Sequence, residues 1–428
     1  MSQSVRSSLG PSIIIAAAIV GTGELIVAPR LGARVGLSVL WLIVLGCVIK
    51  VLIQEELGRH TILTGDTTLQ ALDRVPGPRW RVSWATWSWF LLLFAGTLQM
   101  GGVLLSLVQT LQLVHLPGHS LLLAAIVTGV TTVILIAGRY RMIETISGLM
   151  VAGFTAMTVV ALVLLQQTEF RVSLESILDG LKFKMPASGF ADAVAVFGIT
   201  GIGTSELLFY PYWCREKGYA KDLREGVVRD RNVLSARIRG MRLDIFIALA
   251  VYTFATIAFF ILGAAILHGN KDVPQGLDMI LTLSQMYTKT FGDWVFYLFA
   301  IGAVVVLYST FFVAMATWAR VWADAMKLLS APSFFNSERT TRNTLIVLAV
   351  IYVGLCAIFN ETPHWLVVGG GAIQTLLLPV FGIGVVLIRY KRQDDFRPGR
   401  IGELALYLSV AIITAAALYS LWGLIPKG

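Results

Sequence analysis

Two glutamates lie inside long apolar stretches, and each is embedded in the same short motif. Glu24 occurs in GTGELIVAP (Gly21–Pro29), and Glu206 occurs in GTSELLFYP (Gly203–Pro211). Gly, Thr, Glu, Leu and Pro recur in register at an offset of 182 residues. A carboxylate in apolar surroundings is costly unless it is paired, neutralised or bound to a cation. The repeated motif therefore predicts one site to which both glutamates contribute.

The residues around the two glutamates could supply further oxygen ligands. Glycines precede each acid, and Pro29 and Pro211 follow, so each motif favours a break in its helix. Broken helices are tolerated inside a membrane only where the freed backbone groups line a cavity or bind something. The candidate ligands are the two acids and the adjacent hydroxyl and backbone groups, namely Glu24, Glu206, Gly21, Thr22, Gly23, Thr200, Gly203, Thr204 and Ser205.

Polar residues in other apolar stretches are candidates for the walls of this site. Gln99, Gln374 and Tyr210 are predicted to line the cavity, although hydrogen bonds between helices would equally account for the two glutamines. Tyr210 could also offer an aromatic face to a cation, as could the neighbouring Tyr212 and Trp213.

A simpler interpretation of Glu24 and Glu206 is that they form internal salt bridges. Lys50 lies unusually deep in an apolar stretch and is a possible counter-ion, and Arg30 and Arg34 follow the first motif closely. This alternative explains one buried acid more easily than two. Another possibility is that one of the two glutamates carries a proton during the working cycle.

The composition places these motifs in a polytopic membrane protein. Of 428 residues, 56% are apolar and 14% are charged, and the mean hydropathy is +0.77. Segments long enough to cross about 30 Å of hydrocarbon must be helices, because backbone groups in lipid need internal partners. The fold class is therefore all-α, with eleven predicted spans at 12–29, 37–54, 84–110, 120–138, 143–165, 190–212, 244–267, 294–323, 344–360, 364–389 and 402–425.

The spacing of the two motifs predicts an inverted repeat. They open the first and sixth spans, so an odd number of crossings separates them and the two halves run in opposite senses. Discontinuous helices 1 and 6 within a five-plus-five inverted repeat are typical of secondary transporters. We expect a first repeat at 1–165, an extracellular connection at 166–189, a second repeat at 190–389, and a cytoplasmic loop with the last helix at 390–428.

Charge distribution predicts the orientation and excludes several functions. Lys and Arg collect in alternate connections, which places the N-terminus in the cytoplasm and the C-terminus outside the cell membrane. These loops account for the net charge of +9, so nucleic-acid binding is not expected. The sequence has no phosphate loop, catalytic serine motif or dinucleotide fingerprint, and we expect no enzymatic activity and no cofactor. We expect the chain to lie in the lipid bilayer without an obligatory protein partner.

Further motifs connect the chain with a known family. Span five begins GRYRMIETISGL (Gly138–Leu149), Arg242–Asp244 precede span seven, LYSTFFVAMA (Leu307–Ala316) lies in span eight, and Leu378–Pro379 lie in span ten. In this order the motifs resemble the NRAMP (natural resistance-associated macrophage protein) divalent-metal transporters. The resemblance implies a LeuT-like fold with a cation site at the two broken helices.

The chain departs from the family pattern at the site itself. Helix one of the family carries Asp-Pro-Gly-Asn, where this chain has Gly-Thr-Gly-Glu at Gly21–Glu24, and helix six carries Met-Pro-His in place of Ile202–Thr204. The acids that the family uses for proton transfer in helix three are replaced by Gly96 and Gln99. Without the helix-six thioether, we expect an all-oxygen site that favours hard cations such as Mg²⁺, Ca²⁺ or Mn²⁺.

Three functions follow from these observations. The first is secondary-active or facilitative transport of divalent cations, with Glu24 and Glu206 as the charged ligands. The second is transport of a cationic organic solute, such as an amine or amino acid, on the same fold. The third is a membrane sensor that keeps the fold without moving a substrate.

Overall fold

A computed structural model describes most of the chain. The described residues are 10–21, 23–114, 118–184, 197, 200–221, 230–268, 281–282, 284, 288, 291–329, 337–359, 364–392, 396 and 399–423. Within these ranges the chain is a bundle of long helices with one two-residue hairpin. The structure therefore agrees with the all-α expectation.

The first half of the chain contains seven helices in the described ranges, one of which continues from a π-helical segment. They are α1 (Pro11–Ile19), the π-helical segment (Gly23–Val27), α2 (Ala28–Val35), α3 (Leu40–Thr64), α4 (Thr68–Asp73), α5 (Trp84–Leu113), α6 (Ser120–Ala137) and α7 (Tyr140–Leu165). A short antiparallel hairpin of β1 (Arg79–Trp80) and β2 (Val82–Ser83), with Arg79 opposite Ser83, leads into α5.

The second half is also helical in its described parts. Its helices are α8 (Leu174–Gly180), α9 (Thr204–Glu216), α10 (Arg231–Leu267), α11 (Trp294–Leu329), α12 (Ser337–Ile358), α13 (His364–Lys391) and α14 (Arg400–Gly423). The predicted sixth span, 190–212, lies largely outside the described residues, and α9 forms its final part. Pro211 lies inside α9 and does not end it.

The helices have the dimensions and surface of membrane spans. Eight described helices are long and apolar enough to cross a bilayer, and α1 with the π-helical segment and α2 forms a bent ninth span. Their outward faces carry large apolar side chains such as Val133, Leu149 and Val350, each more than two-thirds exposed. This surface suits lipid, because apolar side chains facing hydrocarbon have no reason to turn inward.

The predicted second span is a helix, but it extends well beyond the predicted end. α3 continues to Thr64 and carries Glu55, Glu56 and Arg59 in its last turns. Arg59 forms ion pairs with both glutamates, and Arg242 from α10 binds Glu55 with a nitrogen–oxygen distance of 2.7 Å. Charged residues that end an apolar stretch in the sequence are therefore retained in a helix by partners from the chain's other half.

The first span is bent at the repeated motif, as the sequence predicts. α1 and the segment from Gly23 to Val35 differ in direction by 44°. The part of this span after the bend, α2, packs closely on α10. A Cβ at Gly32 would lie 2.4 Å from the Phe260 carbonyl oxygen, and one at Gly263 would lie 2.1 Å from the Pro29 carbonyl oxygen. Glycines on both helices thus permit backbone-to-backbone contact, a common way of joining helices in membranes.

Candidate functional site

A small cavity lies between the two repeated motifs. Its volume is about 50 Å³, and its walls come from the first span, α5, α9, α11, α13 and the turn before α9. Most of the predicted site residues that the structure describes line it, namely Gly21, Gly23, Glu24, Gln99, Gly203, Ser205, Glu206 and Gln374. The fold therefore brings together two glutamates that are 182 residues apart in the sequence.

Glu24 is fully buried and lies in the π-helical segment that follows the bend in the first span. Its Oε2 accepts a hydrogen bond of 3.2 Å from the backbone N–H of Gly21, three residues earlier. Its Oε1 lies 3.4 Å from the hydroxyl of Thr256 on α10, which donates a shorter bond of 2.9 Å to the Tyr252 carbonyl oxygen. The carboxylate is thus held by its own turn, with a weak contact from a neighbouring helix.

Glu206 repeats this local geometry in the first turn of α9 but is only partly buried. Its Oε2 accepts the backbone N–H of Gly203 at 3.0 Å, the same three-residue spacing as in the first motif. A Cβ at Gly203 would lie 2.6 Å from this Oε2 and 3.0 Å from Oε1 of Gln374. Glycine at 203 therefore leaves room for two oxygen atoms at the helix N-terminus.

Neither glutamate forms the predicted internal salt bridge with a described residue. Among the described parts of the chain, no basic nitrogen lies within 4.0 Å of a carboxylate oxygen of Glu24 or Glu206. The same parts contain no group of three or more His, Cys, Asp and Glu side chains placed to hold one metal ion. The cavity therefore contains two carboxylates that form no ion pair with a described basic residue.

Lys50 instead binds the backbone ahead of α9. Its fully buried ammonium group donates hydrogen bonds of 2.6 Å to the carbonyl oxygens of Phe197 and Thr200. The predicted ligand Thr200 is thus occupied through its carbonyl oxygen and is not among the residues that line the cavity. An ammonium group can satisfy several carbonyls at once, which is what a break in a buried helix requires.

The corresponding backbone of the first span is held by a hydroxyl group. Thr310 on α11 lines the cavity, and its Oγ1 lies 3.2 Å from the carbonyl oxygen of Ala18 and 3.0 Å from that of Val20. A Cβ at Gly21 would lie 2.4 Å from the same Oγ1. The glycine of the motif therefore lets α11 approach the bend. The carbonyl oxygen of Gly21 already accepts the Leu25 N–H at 2.9 Å.

Gln99 and Gln374 both line the cavity and are bonded to each other. The side-chain amide of Gln374 donates to Oε1 of Gln99 at 2.6 Å, joining α13 to α5. The backbone carbonyl of Gln374 accepts the Thr204 hydroxyl at 2.6 Å, and its side-chain oxygen accepts the Ser205 N–H at 3.3 Å. The two glutamines thus form an interhelical hydrogen bond and also line the cavity, although the sequence analysis treated these roles as alternatives.

Ser205 presents an oxygen atom that no described group uses. Its side chain is buried and lines the cavity, and its Oγ has no hydrogen-bond partner among the described residues. A buried hydroxyl without a partner costs free energy, so a bound cation or water would stabilise it. Thr204 is turned away from this role, because its hydroxyl donates to Gln374, and Thr22 lies outside the described residues.

Three aromatic candidates from the sequence lie elsewhere. Tyr210 is fully buried but faces α3, since a Cβ at Gly58 would lie 2.7 Å from its ring, and it is not among the cavity residues. Tyr212 donates to Asp324 at 2.8 Å, and the Trp213 ring lies 4.7 Å from the guanidinium of Arg320. Two or more helical turns beyond Gly203, these rings face other helices rather than the cavity.

Aromatic and sulfur groups that the sequence did not indicate complete the walls. Phe209 and Trp318 line the cavity with ring centroids 5.1 Å apart, and Met100 contributes a thioether-bearing side chain. Gly96 makes room for Trp318, because a Cβ there would lie 2.6 Å from the indole. Met100 belongs to helix three, whereas the sequence comparison considered a thioether only in helix six; the expectation of an all-oxygen ligand set stays a prediction.

Comparison with known proteins decides the family. A family model described as natural resistance-associated macrophage protein-like (Nramp) matches residues 12–423. The chain belongs to the Nramp family. The match covers nearly the whole chain, so the resemblance seen in the sequence motifs is confirmed.

Relatives of this Nramp protein are distant. An uncharacterised protein of Pasteurella multocida is 26% identical over 81% of the chain and 77% of its own length. The divalent metal cation transporter MntH of Chromohalobacter salexigens is 24% identical over 67% of the chain and 64% of its own length.

Solved structures confirm the predicted LeuT-like fold. A variant of the manganese transporter of Eremococcus coleocola has a TM-score of 0.75 at 15% identity, covering 99% of this chain and 89% of that one. Mhp1, a nucleobase-cation-symport-1 family transporter, has a TM-score of 0.61 at 17% identity and covers 98% and 91%. MhsT in complex with L-phenylalanine has a TM-score of 0.57 at 14% identity and covers 96% and 97%. The chain is an integral membrane protein of this fold.

Proposed function

We propose that this Nramp protein transports divalent metal cations by alternating access, as a secondary-active or facilitative system. The family supports this assignment, as do the names of its relatives, among them a divalent metal cation transporter and a manganese transporter. In the proposed cycle, the cavity between the two broken spans holds the cation and opens in turn to each side of the membrane.

The observation that carries the proposal is a pair of carboxylates with no described basic nitrogen within 4.0 Å. Glu24 and Glu206 line one cavity, and each accepts a hydrogen bond from the backbone N–H of the glycine three residues earlier. A divalent cation between them would neutralise charge that otherwise remains buried in low dielectric. Ser205 Oγ, free of other described partners, is the third proposed ligand.

The size of the cavity favours an ion over an organic solute. Its volume of about 50 Å³ would hold only a few water molecules, since one water needs roughly 10–15 Å³ of such space. Pockets for organic ligands commonly measure about 300–1,000 Å³. A divalent ion with its remaining waters fits the observed space, whereas an amine or amino acid would require the walls to separate.

We further propose a preference for hard cations such as Mn²⁺ and Mg²⁺. Two carboxylates and a hydroxyl group are oxygen ligands, which suit these ions. Met100 is the one soft donor among the cavity residues, so the Met100→Leu variant tests whether sulfur contributes to selection. Uptake of Mn²⁺ should persist in this variant, and any residual Cd²⁺ uptake should decrease.

The proposed topology follows the sequence prediction. The N-terminus lies in the cytoplasm and the C-terminus outside the cell membrane, with repeats at 1–165 and 190–389. The ion pairs at the end of α3, which include Arg59 and Arg242, then lie on the cytoplasmic side. This agrees with the rule that basic residues collect there.

Cation uptake into proteoliposomes tests the transport proposal. The double variant Glu24→Gln and Glu206→Gln should lower the initial rate of Mn²⁺ uptake by about a hundredfold or more, because each charged ligand contributes roughly 1.5–3 kcal/mol. The matched control is Glu169→Gln with Glu175→Gln, two exposed acids of the predicted extracellular connection. Wild-type rates in the first double variant would contradict the site.

The same vesicles distinguish the two alternatives. Saturable uptake of an amine or amino acid, without cation uptake, would favour the organic-solute function. Cation binding without any flux, measured by calorimetry on the same preparation, would favour a sensor.

A further inference from the structure

A second, larger cavity lies at the end of the bundle where α6 ends and α12 begins. Its volume is about 970 Å³, and it is bordered by the ends of α6, α9 and α11 and the first turns of α4, α7 and α12. Its described walls carry six basic side chains, from Arg139, Arg215, Arg320, Lys327, Arg339 and Arg342. Three acidic residues, Glu216, Asp324 and Glu338, also line it, so basic side chains outnumber acidic ones by three. The central cavity, by contrast, has two glutamates in its wall.

Two of the three acidic residues of this basic cavity, Asp324 and Glu216, are already engaged. Asp324 accepts hydrogen bonds from Thr67, from Gln70 at 3.0 Å and from Tyr212 at 2.8 Å. Glu216 forms an ion pair with Arg320. Their negative charge is therefore committed to other groups. Glu338, the third acid, is exposed beside Arg339 on α12, so the six basic side chains still exceed the acidic ones by three.

Four of the basic side chains carry the remaining charge. Arg139, Lys327, Arg339 and Arg342 are exposed at the cavity. None of them lies within 4.0 Å of a described carboxylate oxygen. Two of the four, Arg339 and Arg342, are one turn apart on α12 and can reach the same ligand. Arginine pairs of this kind are suited to phosphate, which accepts two parallel hydrogen bonds from each guanidinium.

An apolar groove continues from the basic cavity along the side of the bundle. It has a volume of about 520 Å³ and lies between α5, α11 and α12. Leu93, Trp322, Leu348 and Ile351 line it, and Arg339 lines both this groove and the basic cavity. Val347 and Ile351, also on its wall, are 55% and 40% exposed on the outward face of α12. The groove therefore opens toward the lipid-facing surface.

We propose that the basic cavity and the groove together bind one anionic phospholipid. The phosphate lies against Arg339 and Arg342, and an acyl chain follows the groove past Trp322. A soluble phosphate would use the basic cavity but leave the apolar groove empty. A zwitterionic lipid would add its own positive charge to a cavity that is already basic. Basic pockets between membrane helices on the cytoplasmic side commonly take such head groups.

Quenching of tryptophan fluorescence by brominated lipid tests the proposal. The full-length protein is placed in phosphatidylcholine bilayers with increasing fractions of phosphatidylglycerol brominated on its acyl chains, or of brominated phosphatidylcholine as reference. We expect additional, saturable quenching by the anionic lipid. The Trp322→Phe variant should reduce its amplitude without changing the half-saturating lipid fraction, which locates the chain in the groove.

Charge-removing variants test the head-group site. Arg339→Gln with Arg342→Gln should raise the half-saturating fraction of the anionic lipid by about tenfold or more, because two charge-assisted contacts are lost. The matched control is Arg239→Gln with Arg400→Gln, two exposed arginines outside both cavities. Neither double variant touches the central cavity, so cation uptake remains a separate measurement.

Three results would overturn the proposal. The first is equal quenching by the two brominated lipids in the wild-type protein. The second is an equal loss in the control double variant, which would reduce the effect to general surface charge. The third is displacement of the lipid by inorganic phosphate at millimolar concentration, which would assign the cavity to a soluble anion.

Discussion

The two copies of the motif have the same local geometry and differ in the groups that hold the backbone around them. In both, a glutamate accepts the backbone N–H of the glycine three residues earlier, at 3.2 Å for Glu24 and 3.0 Å for Glu206. At the first break the carbonyl oxygens face the hydroxyl of Thr310, and at the second they face the ammonium group of Lys50. Local geometry thus follows the repeat, whereas the tertiary partners do not.

The two acids also differ in how far they are exposed. Glu24 is enclosed by the bend of its own span and by α10, where Thr256 lies beside it. Glu206 lies at an open helix N-terminus and keeps part of its surface accessible. Because a buried carboxylate has more to gain from a counter-charge, the two motifs contribute chemically unequal walls to one cavity.

The largest expected effect in this comparison is on stability. Lys50→Met leaves the carbonyl oxygens of Phe197 and Thr200 without their buried donor, and we expect a loss of about 3 kcal/mol. Thr310→Val removes one shared hydroxyl donor at the first break and should cost about 1 kcal/mol. Unfolding in detergent micelles by heat or denaturant measures both. Equal losses would mean that the two breaks are held equally strongly.

A second prediction concerns the backbone of the second break. Gly201 has a φ of +66°, whereas Ile19, its counterpart at the 182-residue offset, ends the right-handed helix α1. Gly201→Ala should therefore destabilise the protein by about 1–2 kcal/mol, and its Cβ would also lie 3.0 Å from the Cys47 sulfur.

The control for this variant is Gly218→Ala. Gly218 has a φ of +92° and has no atom within 4 Å of an added Cβ, so it measures the conformational cost alone. A Gly201→Ala variant as stable as the wild type would contradict the left-handed turn at the second break.

The smallest expected effect is at the contact between Thr256 and Glu24. The hydroxyl has one proton, and its 2.9 Å bond to the Tyr252 carbonyl is shorter than its 3.4 Å contact with the carboxylate. Thr256→Val should therefore change the KM for Mn²⁺ uptake by less than about twofold. Thr317→Val, which removes a similar within-helix bond on α11, is the control. A tenfold effect specific to Thr256 would give α10 a direct part in holding Glu24.

Much of the site follows from sequence reasoning alone. The glutamates are identifiable because acids are costly in apolar segments, and the motif repeat ties them to equivalent helices. Gln99 and Gln374 were recognisable as polar residues in apolar helices. Met100, by contrast, carries no such signal, because a methionine in an apolar helix is ordinary. The prediction that Tyr210 lines the cavity was wrong for a related reason: its place in the sequence did not show which side of α9 it occupies.

The sequence by itself determined the membrane-spanning helices, the bend in the first of them and the two acids. Each depends on local composition or on a motif comparison that needs no tertiary contact. The tertiary structure decided which atoms remain available to a ligand. Lys50 could have neutralised a glutamate, but packing of α3 against the backbone ahead of α9 brings its ammonium group to Thr200 instead. Partner choice of this kind depends on distances between helices, which the order of residues along the chain does not contain.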